Sequence, residues 1–240
     1  MLLGEQKRKA DMVEKQLTVH SSQFTGQKEK IINLPLSKKD VMGLNAGDVV
    51  LINGLIVTGR DTIHKFLFYE RPPKKDIPFN LSGTILYHCG PIVIPLHPPL
   101  PSTFTEVRGL KKGGRGNFRV IASGPTTSIR VETYEHRIIS SYGLRGIMGK
   151  GGMCERTLGA MKKNGCVYFH TIGGAAAYLA DRVKRVVDVW KLEEFGVPEA
   201  MWLLEVENFP AIVTMDAYGK NLHNDIARKS YNEVKRLIKK

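Results

Sequence analysis

Residues 118–184 read FRVIA-SGPTT-SIRVETYEHRIIS, then SYGLR-GIMGKGG-MCERTLGAMKK, then NGCVYFH-TIGG-AAAYLADRVK. Each section has the same order. A short apolar strand comes first, over Phe118–Ala122, Gly146–Met148 and Cys166–His170. A glycine-bearing turn follows, over 123–127, 149–152 and 171–174. An amphipathic helix closes each section, from about Ser128 to Ser141, Met153 to Lys163 and Ala175 to Lys184. Strand, turn and helix in alternation predict an α/β fold with a parallel sheet and right-handed crossovers. In such sheets the turns at the strand C-termini gather along one edge, where ligands bind.

The chain upstream is richer in strands. Ile31–Leu36 reads as a strand, and Ser37 as the N-cap of a helix over Lys38–Leu44. Val49–Ile52 and Leu55–Val57 flank Asn53-Gly54, the signature of a two-residue hairpin. Further strands are predicted at Thr84–His88 and Ile92–Ile94. Downstream, strands near Met201–Glu207 and Ala211–Asp216 are joined across Asn208-Phe209-Pro210. A final helix over about 222–240 carries Leu222, Ile226, Val234, Leu237 and Ile238 at helical spacing. The domain reading is a peripheral extension over 1–28 and a single domain over 29–240. The domain includes a Pro-, Gly- and Lys-rich loop at about 98–117, long enough to be functional or disordered.

At 240 residues, 42% hydrophobic and 25% charged, the chain has the composition of a globular domain. No apolar run reaches the length of about 18 residues that a membrane span needs. The N-terminus mixes Lys7, Arg8 and Lys9 with Glu5, Asp11 and Glu14, which matches neither a secretory nor a transit peptide. Three widely spaced cysteines, Cys89, Cys154 and Cys166, form no disulfide framework and no zinc or iron–sulfur pattern. The expectation is a cytoplasmic protein that holds no metal by itself.

The formal net charge of +13 favours an anionic ligand or partner and says nothing about fold. Basic residues concentrate in Arg71–Lys75, Arg108–Arg119 and the tail from Arg228, without an RNA-binding aromatic pattern, zinc finger or helix-turn-helix signature. Nucleic acid is therefore a minor alternative: a non-catalytic anion- or nucleic-acid-binding module.

Glycine-bearing turns that feed helices present unpaired N–H groups and the positive dipole end to anions. Thr126 and Arg130 lie one helical turn apart, a hydroxyl and a guanidinium aimed at one oxyanion. The plainer alternative has Thr126 and Thr127 capping the helix while Arg130 pairs with Glu132 or Glu135. Lys150, in a tight loop at a strand end, is a point charge suited to a carboxylate. That loop is neither a Walker A loop nor a dinucleotide fingerprint, since Leu144, Gly151 and Cys154 occupy the deciding positions. Arg60 and His64 are spaced i, i+4 at a helix start, where a histidine serves as an acid/base group or a donor to a carboxylate, the plainer and commoner alternative being a satisfied surface histidine.

These segments form a pattern when read in order: Gly59-Arg60-Asp61 with His64-Lys65, Gly90-Pro91, Gly124-Pro125-Thr126-Thr127-Ser128-Ile129-Arg130, Gly149-Lys150-Gly151-Gly152-Met153, and Ile172-Gly173-Gly174-Ala175. Pro198-Glu199-Ala200-Met201-Trp202, Glu205-Val206, Phe209-Pro210, Asp216 and Gly219-Lys220-Asn221 follow. Over about residues 30–225 the sequence resembles the β subunit of class I, iron–sulfur fumarate hydratases and L(+)-tartrate dehydratases. The stretch from about Pro98 to Asn117 is longer than the family's connection there.

The resemblance implies a swivelling β/β/α domain. It implies a separate α subunit that carries a [4Fe–4S] cluster, not bound by this chain, and an active site formed between the two subunits. Thr126 corresponds to the proposed proton-abstracting residue, and Arg60, Arg130 and Lys150 to the substrate-carboxylate ligands. His64 matches a histidine implicated in substrate binding. The expected activity is reversible hydration of fumarate to malate by this hydro-lyase of the tricarboxylic acid cycle. The alternative is dehydration of L(+)-tartrate by the same chemistry, with mesaconate-type substrates more distant. The expected assembly is α2β2, or a homodimer of this chain.

Overall fold

The structure, a computed structural model, describes residues 28–96 and 118–238. The N-terminal extension through residue 27 and the basic loop at about 98–117 lie outside the described residues. Strand β1 (Lys30–Asn33) leads to helix α1 (Lys38–Met42). The expected Ser37 cap is a full capping box: its hydroxyl accepts the Asp40 N–H at 3.2 Å, and the Asp40 carboxylate accepts the Ser37 N–H at 2.8 Å. Then come β2 (Val49–Gly59), α2 (Asp61–Tyr69), β3 (Ile85–His88), β4 (Ile92–Pro95) and β5 (Phe118–Ala122). A 3-10 turn over Ser128–Val131 opens α3 (Glu132–Tyr142), followed by β6 (Gly146–Gly149), α4 (Glu155–Asn164), β7 (Val167–His170) and α5 (Ala176–Ala180). β8 (Val183–Trp190), α6 (Leu192–Phe195), β9 (Met201–Met215) and α7 (Leu222–Ile238) complete the order.

The main sheet runs β1-β2-β3-β6-β7-β9-β8, with β2 also paired to β9. β2, β3, β6 and β7 are parallel neighbours, and β9 runs antiparallel to both β7 and β2. Those pairings close a ring. Side chains alternate along each strand, so one residue points to one face and the next to the other. Ile85 and Tyr87 of β3, with Val167 and Phe169 of β7, share a core cluster with Val120 of β5, Val186 of β8 and Trp202 of β9. Leu86 and Tyr168, from the same strands, lie in a second cluster with Ile63 and Leu67 of α2, Ile138 and Ile139 of α3, and Leu158 and Met161 of α4. The result is the β/β/α layering anticipated above: a core between strand layers and a core beneath helices. No helix among the described residues is long and apolar enough to cross a membrane.

Five local readings differ from the structure. Asn53-Gly54 does not turn a hairpin; β2 continues through it, with a bulge between Ile52 and Gly54. The glycine serves a close approach. Its φ is +110°, and a Cβ there would sit 3.0 Å from Leu34 Cβ. Opposite the bulge, Asn208 (φ 49°) gives its N–H to Asn53 Oδ1 at 2.8 Å, so the two predicted late strands are the single strand β9. β5 leaves the parallel sheet and pairs antiparallel with β4. The predicted helix over Ala175–Lys184 stops at Ala180, and the β-branched run Val183, Val186, Val187 and Val189 forms β8 instead. The fifth difference is the face of α7. That helix forms, but Ile226, Val234, Leu237 and Ile238 are exposed.

Candidate active site

The four parallel neighbours end on one edge. Gly59 of β2 leads to Arg60, His88 of β3 to Gly90, Gly149 of β6 to Lys150, and His170 of β7 to the Thr171–Gly174 turn. Backbone bonds stitch these turns together. The Thr126 N–H donates to the His88 carbonyl at 2.7 Å, and the Lys150 N–H to the Thr126 carbonyl at 3.3 Å. The Ser128 N–H reaches the Lys150 carbonyl at 3.0 Å, and the Thr171 N–H the Gly149 carbonyl at 2.9 Å. Thr126 is thus held between the ends of β3 and β6 by backbone alone. Thr127 makes no capping bond with its side chain, and α3 begins only after Val131.

Arg60 is the extended residue at the start of α2 and lies across Gly90, where a Cβ would come within 2.4 Å of Arg60 Cδ. Glu199 meets it from the loop before β9: Oε1 lies 3.4 Å from Arg60 Nε, and Oε2 accepts the Thr62 N–H at 2.8 Å. One carboxylate therefore both holds the guanidinium and caps α2. Arg130 pairs with neither Glu132 nor Glu135 but with Asp61, at 2.5 Å. Glu132 instead accepts the Cys154 and Thr157 N–H groups at the start of α4. Lys150 lies over Gly173, with Cδ at 3.4 Å and Nζ at 3.8 Å from a Cβ built there. Arg60, Thr126, Arg130 and Lys150 therefore share one edge, all half-buried or exposed.

His64 is fully buried in this chain, and Arg60 is the extended cap of α2, so the i, i+4 spacing does not set the two side chains side by side on an open face. Its Nδ1 lies 2.5 Å from the Arg60 carbonyl, and its Nε2 makes an ionic contact of 3.0 Å with Glu135 Oε2, off the line of a hydrogen bond. His88 Nε2 reaches the same oxygen at 3.1 Å, and its Nδ1 the Ser128 hydroxyl at 2.8 Å. Ser128 Oγ in turn lies 2.7 Å from the Tyr168 hydroxyl, which accepts the Gly152 N–H at 3.3 Å. The strand alternation that sends Leu86 and Tyr168 under the helices also sends His88 there.

Burial would raise the Glu135 carboxyl, but the charge of His64 in ionic contact and the hydrogen bond of His88 outweigh it and hold the group down at about 2. Burial disfavours charge on His64 as well, yet Glu135 and the Arg60 carbonyl raise its pKa. For His88 burial prevails, and its pKa falls. The potential ligand atoms of His64, His88 and Glu135 lie within 4.8 Å of one another. Each ring nitrogen already faces a hydrogen-bonding or ionic partner, so the trio reads as a relay and not as a metal site.

Among the described residues no cysteine joins a group of three potential metal ligands; Cys89 and Cys166 are buried, which raises both thiols, and Cys154 is exposed.

Glu199, Glu135 and His88 carry roles that sequence reasoning did not assign. Their partners lie 137, 71 and 40 residues away, and only Glu199 stood in a quoted motif.

Residues 4–226 match the family described as Fumarase C-terminus, a span that takes in most of the segment read above as a peripheral extension. The chain is 44% identical over 212 residues to a putative fumarate hydratase class I of Geobacillus stearothermophilus; the match covers 88% of this chain and 37% of that protein. It is 38% identical over 204 residues to a putative L(+)-tartrate dehydratase subunit beta of Methanocaldococcus jannaschii, covering 85% of this chain and 95% of the relative. It is 33% identical over 201 residues to the L(+)-tartrate dehydratase subunit beta of Escherichia coli, covering 81% and 86%. By these matches the chain belongs to the Fumarase C-terminus family, that of the β subunits of class I fumarate hydratases and L(+)-tartrate dehydratases.

Proposed function

We propose that this chain is the β subunit of a two-subunit hydro-lyase that interconverts fumarate and malate. The observation that carries the reading is the meeting of Arg60, Arg130 and Lys150 with the Thr126 turn at one sheet edge. Three cations match the two carboxylates of a C4 dicarboxylate and the extra negative charge that develops when the carbon beside a carboxylate loses its proton. The Thr126 hydroxyl accepts that proton at Oγ1 as its own proton passes to a carboxylate of the partner, since an alcohol alone is a weak base. A [4Fe–4S] cluster held by the α subunit, and not by residues of this chain, would supply Lewis acidity toward the substrate hydroxyl. Exposed Ile129 and Ile172 beside the basic groups give this edge an apolar rim that suits burial against the α subunit.

Dehydration of L(+)-tartrate is the second reading. It is favoured by near full-length similarity to chains named as β subunits of that enzyme. The test is to purify the complex anaerobically with its α subunit and assay fumarate hydration against L-tartrate dehydration. Fumarate turnover in excess supports the first reading, and tartrate turnover in excess replaces it with the second. If an iron-loaded complex turns over neither, or if no complex forms and the chain retains nucleic acid instead, the hydro-lyase reading fails.

A further inference from the structure

The buried relay has two ends of fixed polarity. At one end the Arg60 carbonyl can only accept, and at the other the Gly152 N–H can only donate. Protons in between are ordered by these ends. Gly152 N–H donates to Tyr168 Oη, Tyr168 O–H to Ser128 Oγ, and Ser128 O–H to His88 Nδ1. His88 is then neutral and gives its Nε2–H to the Glu135 carboxylate. His64 faces an acceptor at each nitrogen, the Arg60 carbonyl at Nδ1 and the carboxylate at Nε2, so both carry protons and the ring is an imidazolium. A neutral His64 would set a nitrogen lone pair against the Arg60 carbonyl at 2.5 Å or against the Glu135 carboxylate at 3.0 Å.

The relay touches the backbone of two substrate-facing turns and the hydroxyl of a third segment. Arg60 is held through its carbonyl, the Thr126–Arg130 segment through the Ser128 hydroxyl, and the Lys150 loop through Gly152. The glycine at 149 makes this possible, because a Cβ there would fall 2.2 Å from Ser128 Oγ.

We propose that the His64 imidazolium and the Glu135 carboxylate are positioning residues that act through His88, Ser128 and Tyr168 to set Arg60, the Thr126–Arg130 turn and the Lys150 loop in register for a dicarboxylate. The groups facing His64 are Glu135 of α3, the His88 ring of β3 at 4.9 Å between centroids in an edge-on contact, and Asp61 of its own helix. Tyr168 and Cys166 lie beyond Glu135. Of these, the carboxylates keep His64 charged and the neutral His88 imposes no repulsion on it. Loss of the His64 proton turns an attraction at the Arg60 carbonyl or the carboxylate into a lone-pair repulsion, and the register of the site loosens.

Two measurements test this. The first uses 15N-imidazole NMR of the full chain, with His64→Asn and His88→Asn for assignment, and does not depend on the enzymatic reading. The expected result is one histidine protonated on both nitrogens at neutral pH and His88 neutral with its proton on Nε2. A neutral His64 at pH 7 overturns the proposal.

The second uses the complex with its α subunit and rests on the hydro-lyase reading. KM for the dicarboxylate should rise about tenfold per pH unit above the His64 pKa, with kcat little changed. In Glu135→Gln, which removes the charge that holds the proton, that limb should move to lower pH. Ser128→Ala should raise KM without moving it. A KM limb unmoved in Glu135→Gln overturns the proposal even in an active enzyme. If Glu135→Gln does not fold, Ser128→Ala decides the same point, since an unchanged KM there also overturns it. If the complex has no hydro-lyase activity, the hydro-lyase reading fails, and the protonation state of His64 in the NMR spectrum alone decides for or against the relay.

Discussion

Glu135 is a fully buried carboxylate set between two imidazoles. Removing one member of such a pair strands the rest, so Glu135→Leu should destabilise the chain by about 3–5 kcal/mol in urea unfolding. The depressed carboxyl contributes stability that is complete above its ordinary value of 4.5 and lost as pH falls towards about 2, so unfolding should begin in that window in the wild type and not track it in Glu135→Gln. His64 and His88 oppose one another. The raised His64 favours the fold below 6.5 and loses that contribution as pH climbs through its folded value, while the lowered His88 favours the fold above 6.5. Acid denaturation therefore reports on Glu135 more cleanly than a scan near neutrality. At the edge, Thr126→Ala in the complex should cut kcat by about 10²–10⁴ with a smaller effect on KM. Turnover like that of the wild type would remove Thr126 from the proton-transfer role. The exposed cations could be nominated from residue type and spacing. Glu199 and Glu135 could not, because each works on a group brought to it by the fold across tens of residues.

Strands and helices with strong local signals were legible, and the long-range ones were not. The Ser37–Asp40 capping box lies within four residues and was readable, as were the turns after β6 and β7. The hairpin signal at Asn53-Gly54 was misread because the same dipeptide suits a bulge, and only the partner strand decides between them. Gly54→Ala places a Cβ against Leu34 at a positive φ and should cost about 1–3 kcal/mol, read as a fall in the urea midpoint. Asn-Gly in a true hairpin loop would tolerate a change in loop length. Here an inserted residue at 54 should be far more damaging than the alanine, since it shifts the pairing of β2 with β9 and turns every later side chain to the opposite face.

For the whole molecule, the apolar stripe of α7 separates what the sequence dictates from what the chain buries. The spacing of Ile226, Val234 and Leu237 predicted the helix correctly, yet those side chains remain exposed in this chain. Ile226→Lys with Leu237→Lys should therefore change stability of the isolated chain by no more than about 0.5 kcal/mol each. A larger fall in Tm would mean that the stripe is covered. The alternation of strand and helix likewise specified an α/β molecule, but not the ring: closure depends on β9 meeting β2, β7 and β8 at once. That strand, Met201–Met215, is the last of the described strands to leave the ribosome. Its pairing with Val49–Val57 spans some 150 residues of chain, so loop-closure entropy delays the ring until synthesis is almost over. Until then the edges of β2 and β7 wait unpaired, and a nascent chain stalled before Met201 is the form of this protein most in need of a chaperone.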